Sequence, residues 1–284
     1  MGARRSLLWL VVLATACGGT PVPPASTEVT AVRRPAIASD PTAAEWTQVS
    51  EFQTALLLQD MVEPRLLKVS TPEVRVRAMT DGRQVAFRLE WPDATKNDIP
   101  GTGRFSDACA VQLPAASEAD VPAPQMGEPG RPVEISYWRA FWQAMVDGRP
   151  DTIKALYPGA AIDHYPFEAP ALAPGSPEQE AMAKRYAPAR ALDNAMAGPR
   201  SSAVQDLVGE GPSTLRPAGT TRSSGKGVRT PTGWAVVIVR PLPDGVPSSA
   251  RGQVAFAVWD GADQEAGARK MRTGWIPLAV EGSR

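Results

Sequence analysis

Residues 74–91, VRVRAMTDGRQVAFRLEW, restrict the fold more than any other stretch of the chain. Val74, Val76 and Ala78 alternate with Arg75 and Arg77, Asp81-Gly82 supplies a turn, and Val85, Phe87, Leu89 and Trp91 alternate with polar or small residues. A period of two gives each run one apolar and one wet face, and Asp-Gly is a preferred hairpin turn. The stretch therefore predicts a two-stranded antiparallel hairpin.

Other segments extend the pattern. Gln253 to Trp259 places Val254, Phe256 and Val258 on one face and small residues on the other. Phe105 to Leu113 likewise separates Cys109, Val111 and Leu113 from Ala108, Ala110 and Gln112. Trp234 to Leu242 is almost continuously apolar, as in a strand buried on both faces, and Thr273 to Val280 is a further strand-like run. Earlier apolar runs begin at Trp46 and at Phe52 to Leu58. Val133 to Met145 fits two periods, with Tyr137, Trp138, Phe141, Trp142 and Met145 at helical spacing and Val133, Ile135, Tyr137, Arg139 and Phe141 alternating. Gly148 and Pro150 close that segment early, which favours a strand continuing past Trp138. Residues 150–232 are rich in loop signals, with one modest helix expected over Pro177 to Tyr186.

The 29 prolines and 24 glycines among 284 residues interrupt the chain too often for a helical bundle. The expected fold is all-β: an antiparallel β-sandwich with long inserted loops and one or two short helices, the segment from Met145 to Trp234 forming loops at one end. Such loops are common carriers of function. Eight of the 18 aromatic residues are Trp, which serve first as core filling.

The N-terminus carries an address. Arg4 and Arg5, the apolar run Leu7 to Ala14 and the small residues before Cys17 make residues 1–17 an export signal with a lipobox-like end. The run is too short to cross a membrane as a helix. Cys17 is the expected lipidation site, followed by a flexible Pro, Thr and Ser-rich tether over 18–34 and one domain over 35–284. The expected location is the periplasmic side of a bacterial membrane, held by the lipid alone; cleavage at the Ala-x-Ala pattern would instead release a soluble exported protein. Thirty basic and 30 acidic residues balance, so no nucleic-acid partner is expected. A single histidine, His164, and two cysteines exclude a zinc site built from clustered ligands. No CxxCH occurs, so any haem would be held without thioether links. With Cys17 lipidated, Cys109 has no disulfide partner.

Residues 74–95, 105–114, 124–138, 191–215, 225–242 and 254–275, in that order and spacing, resemble the haem b subunit family of ethylbenzene dehydrogenase and its relatives in dimethyl sulfide dehydrogenase, chlorate reductase and selenate reductase. The resemblance implies a β-sandwich holding one non-covalent b-type haem between methionine and lysine. By position these are Met126 of Gln125-Met126-Gly127 and Lys270 of Ala268-Arg269-Lys270-Met271. With both axial positions filled, the implied role is electron transfer, not catalysis. The implied partner is a molybdenum enzyme with an iron-sulfur subunit, or a cytochrome c. Met271, Met61 and Met79 are rival sulfurs, and Arg240 and Arg269 are candidate propionate contacts or surface residues. Family subunits are usually soluble periplasmic proteins, so the lipobox suggests a membrane-tethered relay. Two other expectations compete: a haem-free sandwich that binds carbohydrate or another exported ligand through exposed Trp, and a structural envelope lipoprotein.

Overall fold

A computed structural model describes residues 26–99, 101–115, 121–150, 152–160, 173, 175–186, 189, 192, 194, 197–198, 200–242 and 251–282. The export signal, Cys17 and His164 lie outside them. Strands β1 (Val29–Arg33), β2 (Phe52–Ala55), β3 (Leu57–Leu58), β4 (Glu73–Thr80), β5 (Gln84–Pro92), β6 (Ala108–Pro114) and β7 (Val133–Arg139) come first. After helices α1 (Ala140–Val146), α2 (Ile153–Leu156) and α3 (Pro177–Tyr186) follow β8 (Val204–Gly209), β9 (Arg216–Pro217), β10 (Ser224–Arg229), β11 (Gly233–Pro241), β12 (Arg251–Trp259), β13 (Met271–Arg272) and β14 (Ile276–Val280).

The main path of strands runs β10-β11-β5-β4-β1-β14-β12-β6-β7-β8-β9. Strand β12 turns the corner: Arg251 to Val254 pair with β14, while Ala255 to Trp259 pair with β6. One continuous ribbon thus folds over and faces itself, which makes the sandwich. Its interior takes one face of the long strands, while the two residues of β9 stay exposed. Phe87 of β5 meets Phe256 of β12 edge to face at 5.9 Å. Trp138 of β7 meets Trp91 and Trp234 from the opposite layer at 6.3 and 5.2 Å. Gly227 of β10 admits the Trp138 ring, because a Cβ there would lie 2.2 Å from it. Aromatic pairs of this geometry add to the burial of their large apolar areas.

The predicted hairpin is β4 and β5, with Val76 opposite Leu89 and Ala78 opposite Phe87. The expected helix over Pro177 to Tyr186 is α3. Several expectations need correction. Val29–Arg33, within the expected tether, is a strand in the sheet interior, pairing in parallel with β14 and β4. Its Val29 and Ala31 alternate inward, a pattern too short to stand out among Pro, Ser and Thr. The sheet is therefore mixed, not purely antiparallel. Val133 to Met145 uses both of its periods in succession: the strand ends at Arg139, one residue past Trp138, and a helix takes over. Nor is the stretch from Met145 to Trp234 all loop, since β8, β9 and β10 add to the sheet from it. Three short helices are described where one or two were expected.

Candidate functional site

The outer face of the β12-β6-β7-β8 layer collects small side chains. Register makes this happen: Ala257 lies opposite Ala110, Ala255 opposite Gln112, and Ala110 opposite Tyr137. Three alanines where other strands carry large residues leave a concavity of about 570 Å³, walled by Ile135, Tyr137, Leu207 and Trp259. That is the size of a small-molecule or cofactor site, roughly 300–1,000 Å³.

Two loops overhang this floor. The first carries Met126, whose φ of 67° is left-handed, with Gly127 also left-handed at 80°. Gly127 is packed so closely that a Cβ would lie 2.8 Å from the Gly209 carbonyl. The Gly211 N–H donates to the Met126 carbonyl at 2.8 Å, and Gln112 on the pocket floor donates to the Pro124 carbonyl at 3.0 Å. A bulky residue held in that conformation needs such a frame, and the frame aims its side chain.

The second loop joins β12 to β13 and carries Lys270. Trp259 Nε1 donates to the Gly267 carbonyl at 3.1 Å, and Gln59 Nε2 donates to the Ala268 carbonyl at 3.0 Å. Glu265 anchors the loop from beneath, accepting from Ser70 Oγ at 2.5 Å and from the Asp260 N–H at 2.9 Å. Burial pushes the Glu265 carboxyl up to about 7.

Between the loops, Lys270 Nζ lies 3.8 Å from Met126 Sδ and 5.2 Å from the centre of a Trp259 ring. The structure thus brings together the two residues singled out in the sequence, on loops 144 positions apart in the chain. Lys270 is only 9% exposed and makes no ion pair among the described residues. Burial, with the nearby Arg272 charge, lowers its ammonium pKa to about 8. The rival sulfurs stand elsewhere. Met271 is buried in the sandwich interior, Met79 packs in a separate cluster with Trp46 and Val237, and Met61 is 65% exposed at the rim.

Among the described residues, the cavity lining contains Lys270, Arg139 and Arg272 and no Asp or Glu. The Nε atoms of Arg139 and Arg272 are buried and find no acceptor among the described residues. The sequence pattern singled out neither as a candidate contact, although Arg139 stands in the alternation of Val133 to Phe141. Arg139 was legible as the next residue on the Ile135, Tyr137 face, and Arg272 lies two places beyond Lys270. Of the arginines it did name, Arg240 is 3% exposed and paired with Glu134, and Arg269 does not line the cavity. Chemically, the arrangement suits a ligand with an apolar body and anionic substituents, and offers it a soft thioether and an amine.

The sequence profile described as ethylbenzene dehydrogenase matches residues 43–271. A protein of Haloferax mediterranei named as the respiratory nitrate reductase heme subunit ORF7 is 31% identical over 154 residues, 53% of this chain and 53% of its own. The match therefore spans about half the length of that relative. Chlorate reductase subunit gamma of Ideonella dechloratans is 25% identical over 236 residues, 80% of this chain and 73% of its own. Among solved structures, a carbohydrate binding module family 9 from Caldicellulosiruptor kristjanssonii in complex with cellotriose aligns with a TM-score of 0.41 and 9% identity, over 90% of this chain and 94% of that one.

Proposed function

The chain belongs to the ethylbenzene dehydrogenase family, and from that premise we propose that it is an electron-transfer protein holding one b-type haem between Met126 and Lys270. The observation that carries this reading is the 3.8 Å approach of Lys270 Nζ to Met126 Sδ inside an apolar cavity with no carboxylate in its lining among the described residues. The names of the two curated relatives, a heme subunit of a nitrate reductase and a subunit of a chlorate reductase, agree with it. A haem iron with both axial positions filled by side chains supplies one-electron transfer and offers no open position to a substrate.

Each residue of the chain then has a task. Met126 offers a neutral sulfur, which in haem proteins favours the reduced iron. Lys270 can donate only as the free amine, and a dry site disfavours the ammonium that a lysine of pKa about 10.4 would otherwise keep at neutral pH. Trp259 packs beside the amine and helps to exclude water from it. Arg139 and Arg272 supply the positive charge that two propionates require, and their Nε atoms have no acceptor among the described residues.

The partner we propose is a molybdenum oxidoreductase with an iron-sulfur subunit, or a cytochrome c, and the chain itself is a non-catalytic member of such a system. We further propose that residues 1–17 direct export, that Cys17 carries a lipid on the periplasmic side, and that the domain over 35–284 is the haem carrier, with β1 built into its sheet. Loss of lipid labelling in Cys17→Ala tests the anchor.

The test of the haem is the visible spectrum of reconstituted, dithionite-reduced protein, with a pyridine haemochrome assay to identify the b type. Wild type should show low-spin bands, and Lys270→Ala and Met126→Ala should each shift toward high spin or lose the haem. A wild type that stays colourless under conditions that load a b-type control would sink the proposal.

A further inference from the structure

Away from the pocket, three loops meet at one end of the sandwich and each brings a carboxylate. Asp93 follows the end of β5, Asp107 precedes the start of β6, and Asp260 follows the end of β12. One oxygen from each lies within 4.8 Å of the other two. Crowding carboxylates in this way is unfavourable unless positive charge sits among them.

The protein's own groups satisfy the cluster incompletely. Asp107 accepts from the Asn97 N–H at 2.7 Å and Trp234 Nε1 at 3.0 Å on one oxygen, and from the Gly261 N–H at 3.0 Å on the other. Asp260 accepts from the Ala262 N–H at 2.8 Å. Asp93 Oδ1 accepts from the Thr95 N–H at 2.8 Å, but Asp93 Oδ2 is buried with no hydrogen-bond donor among the described residues. That side chain is only 1% exposed, so bulk solvent does not reach it. Arg229 Nη1 forms an ion pair with Asp93 Oδ1 at 3.7 Å, too long for a hydrogen bond, so one guanidinium offsets part of the charge of three carboxylates and leaves Asp93 Oδ2 without a donor among the described residues. A buried carboxylate oxygen without a donor, beside two further carboxylates, is the kind of unsatisfied group that calls for an ion.

We propose that Asp93, Asp107 and Asp260 bind a calcium ion that clasps the two layers of the sandwich. Calcium takes oxygen ligands at about 2.3–2.6 Å in flexible geometry, so oxygens up to about 5 Å apart share one coordination sphere. Carboxylates on three separate strand ends suit that tolerance better than the strict octahedron of magnesium. The ion joins β5, from one layer, to β6 and β12, from the other. It also fixes the root of the loop that carries Lys270, since that loop begins at Asp260.

Trp234, hydrogen-bonded to Asp107, places a natural energy donor beside the site, so terbium replaces calcium as a luminescent probe. Titrating the EDTA-treated, haem-free protein with Tb³⁺ under Trp excitation should give saturable sensitised emission that Ca²⁺ displaces. Ca²⁺ alone should raise the melting temperature. Asp260→Asn, at a partly exposed position, should weaken both metals at least tenfold while the circular dichroism spectrum is kept. Glu45→Gln, on the exposed surface, should bind as wild type does. The proposal is overturned if wild type gives no Ca²⁺-displaceable emission, or if Asp260→Asn binds Tb³⁺ as tightly as wild type. If Asp260→Asn does not fold, Asp260→Glu, which keeps the charge and moves the oxygens, replaces it. Unchanged Tb³⁺ affinity in that variant overturns the proposal equally.

Discussion

Strand β6 has two buried faces built from different residues. Toward the sandwich interior it presents Cys109, Val111 and Leu113, which belong to the large core with Phe87, Trp138 and Phe256. On the other side it presents Ala108, Ala110 and Gln112, and β12 repeats the division with Val254, Phe256 and Val258 against Ala255, Ala257 and Trp259. In an ordinary sandwich the second face would be polar and wet. Here it is apolar but thin, so the concavity exists because these side chains are small. The inner face serves stability by filling space, and the outer face serves binding by leaving it open.

The strongest way to break that contrast is to empty the filled face. Trp138 is fully buried between Trp91 and Trp234, so Trp138→Ala should cost about 3–5 kcal/mol of unfolding free energy in a urea titration. A loss below about 1 kcal/mol would mean that the two layers do not depend on that aromatic seam. Filling the open face should do the opposite. Ala257→Phe projects into the cavity, so stability should change by no more than about 1 kcal/mol while haem affinity falls at least tenfold, read by spectral titration. Equal haem uptake by the variant would place the cofactor elsewhere.

Both faces were legible in the sequence as alternation, because a strand's period of two survives in any context that buries one side differently from the other. What alternation could not reveal was that the alanine face would be covered by two loops, since nothing local ties residue 126 to residue 270. That juxtaposition came from family resemblance, and the structure supplies its physical frame in the left-handed Met126 and the Gln59 clamp. Short strands in polar surroundings, β1 and β8 to β10, were hidden because their few buried residues, none in β9 and one in β10, do not rise above loop composition. Asp93, Asp107 and Asp260 were equally hidden, since each sits singly just beyond a strand end and only the folded ribbon gathers them.

A third change separates the demands of binding from those of folding at one residue. Lys270 buries an amine without a carboxylate partner among the described residues, which is a cost to the cofactor-free fold. Lys270→Met keeps the length of the side chain and removes the polar end. The cofactor-free variant should therefore be more stable than wild type by about 1–2 kcal/mol in urea, even as the amine proposed to ligate the haem is lost. Lower stability would show that the amine has a favourable role in the empty pocket.

The smallest effect is expected where apolar residues lie outside both faces. Leu67 is 83% exposed, and Leu57, Met61 and Val69 in the same segment are at least half as exposed. Hydrophobicity alone would rank Leu67 above Gln59 as a stabilising residue. Burial reverses the order: Gln59 is 5% exposed, donates to the Val62 and Ala268 carbonyls at 3.0 Å each, and accepts from the Met61 and Val62 N–H groups at 2.9 and 3.0 Å. The rim is held by those polar contacts, because a side chain left in water returns none of the free energy of transfer. Leu67→Lys should accordingly shift stability by less than about 0.5 kcal/mol and leave the reduced spectrum unchanged. A larger drop in a calorimetric melt would mean that Leu67 is covered in solution, and the rim would then have to be counted with the filled face, not the open one.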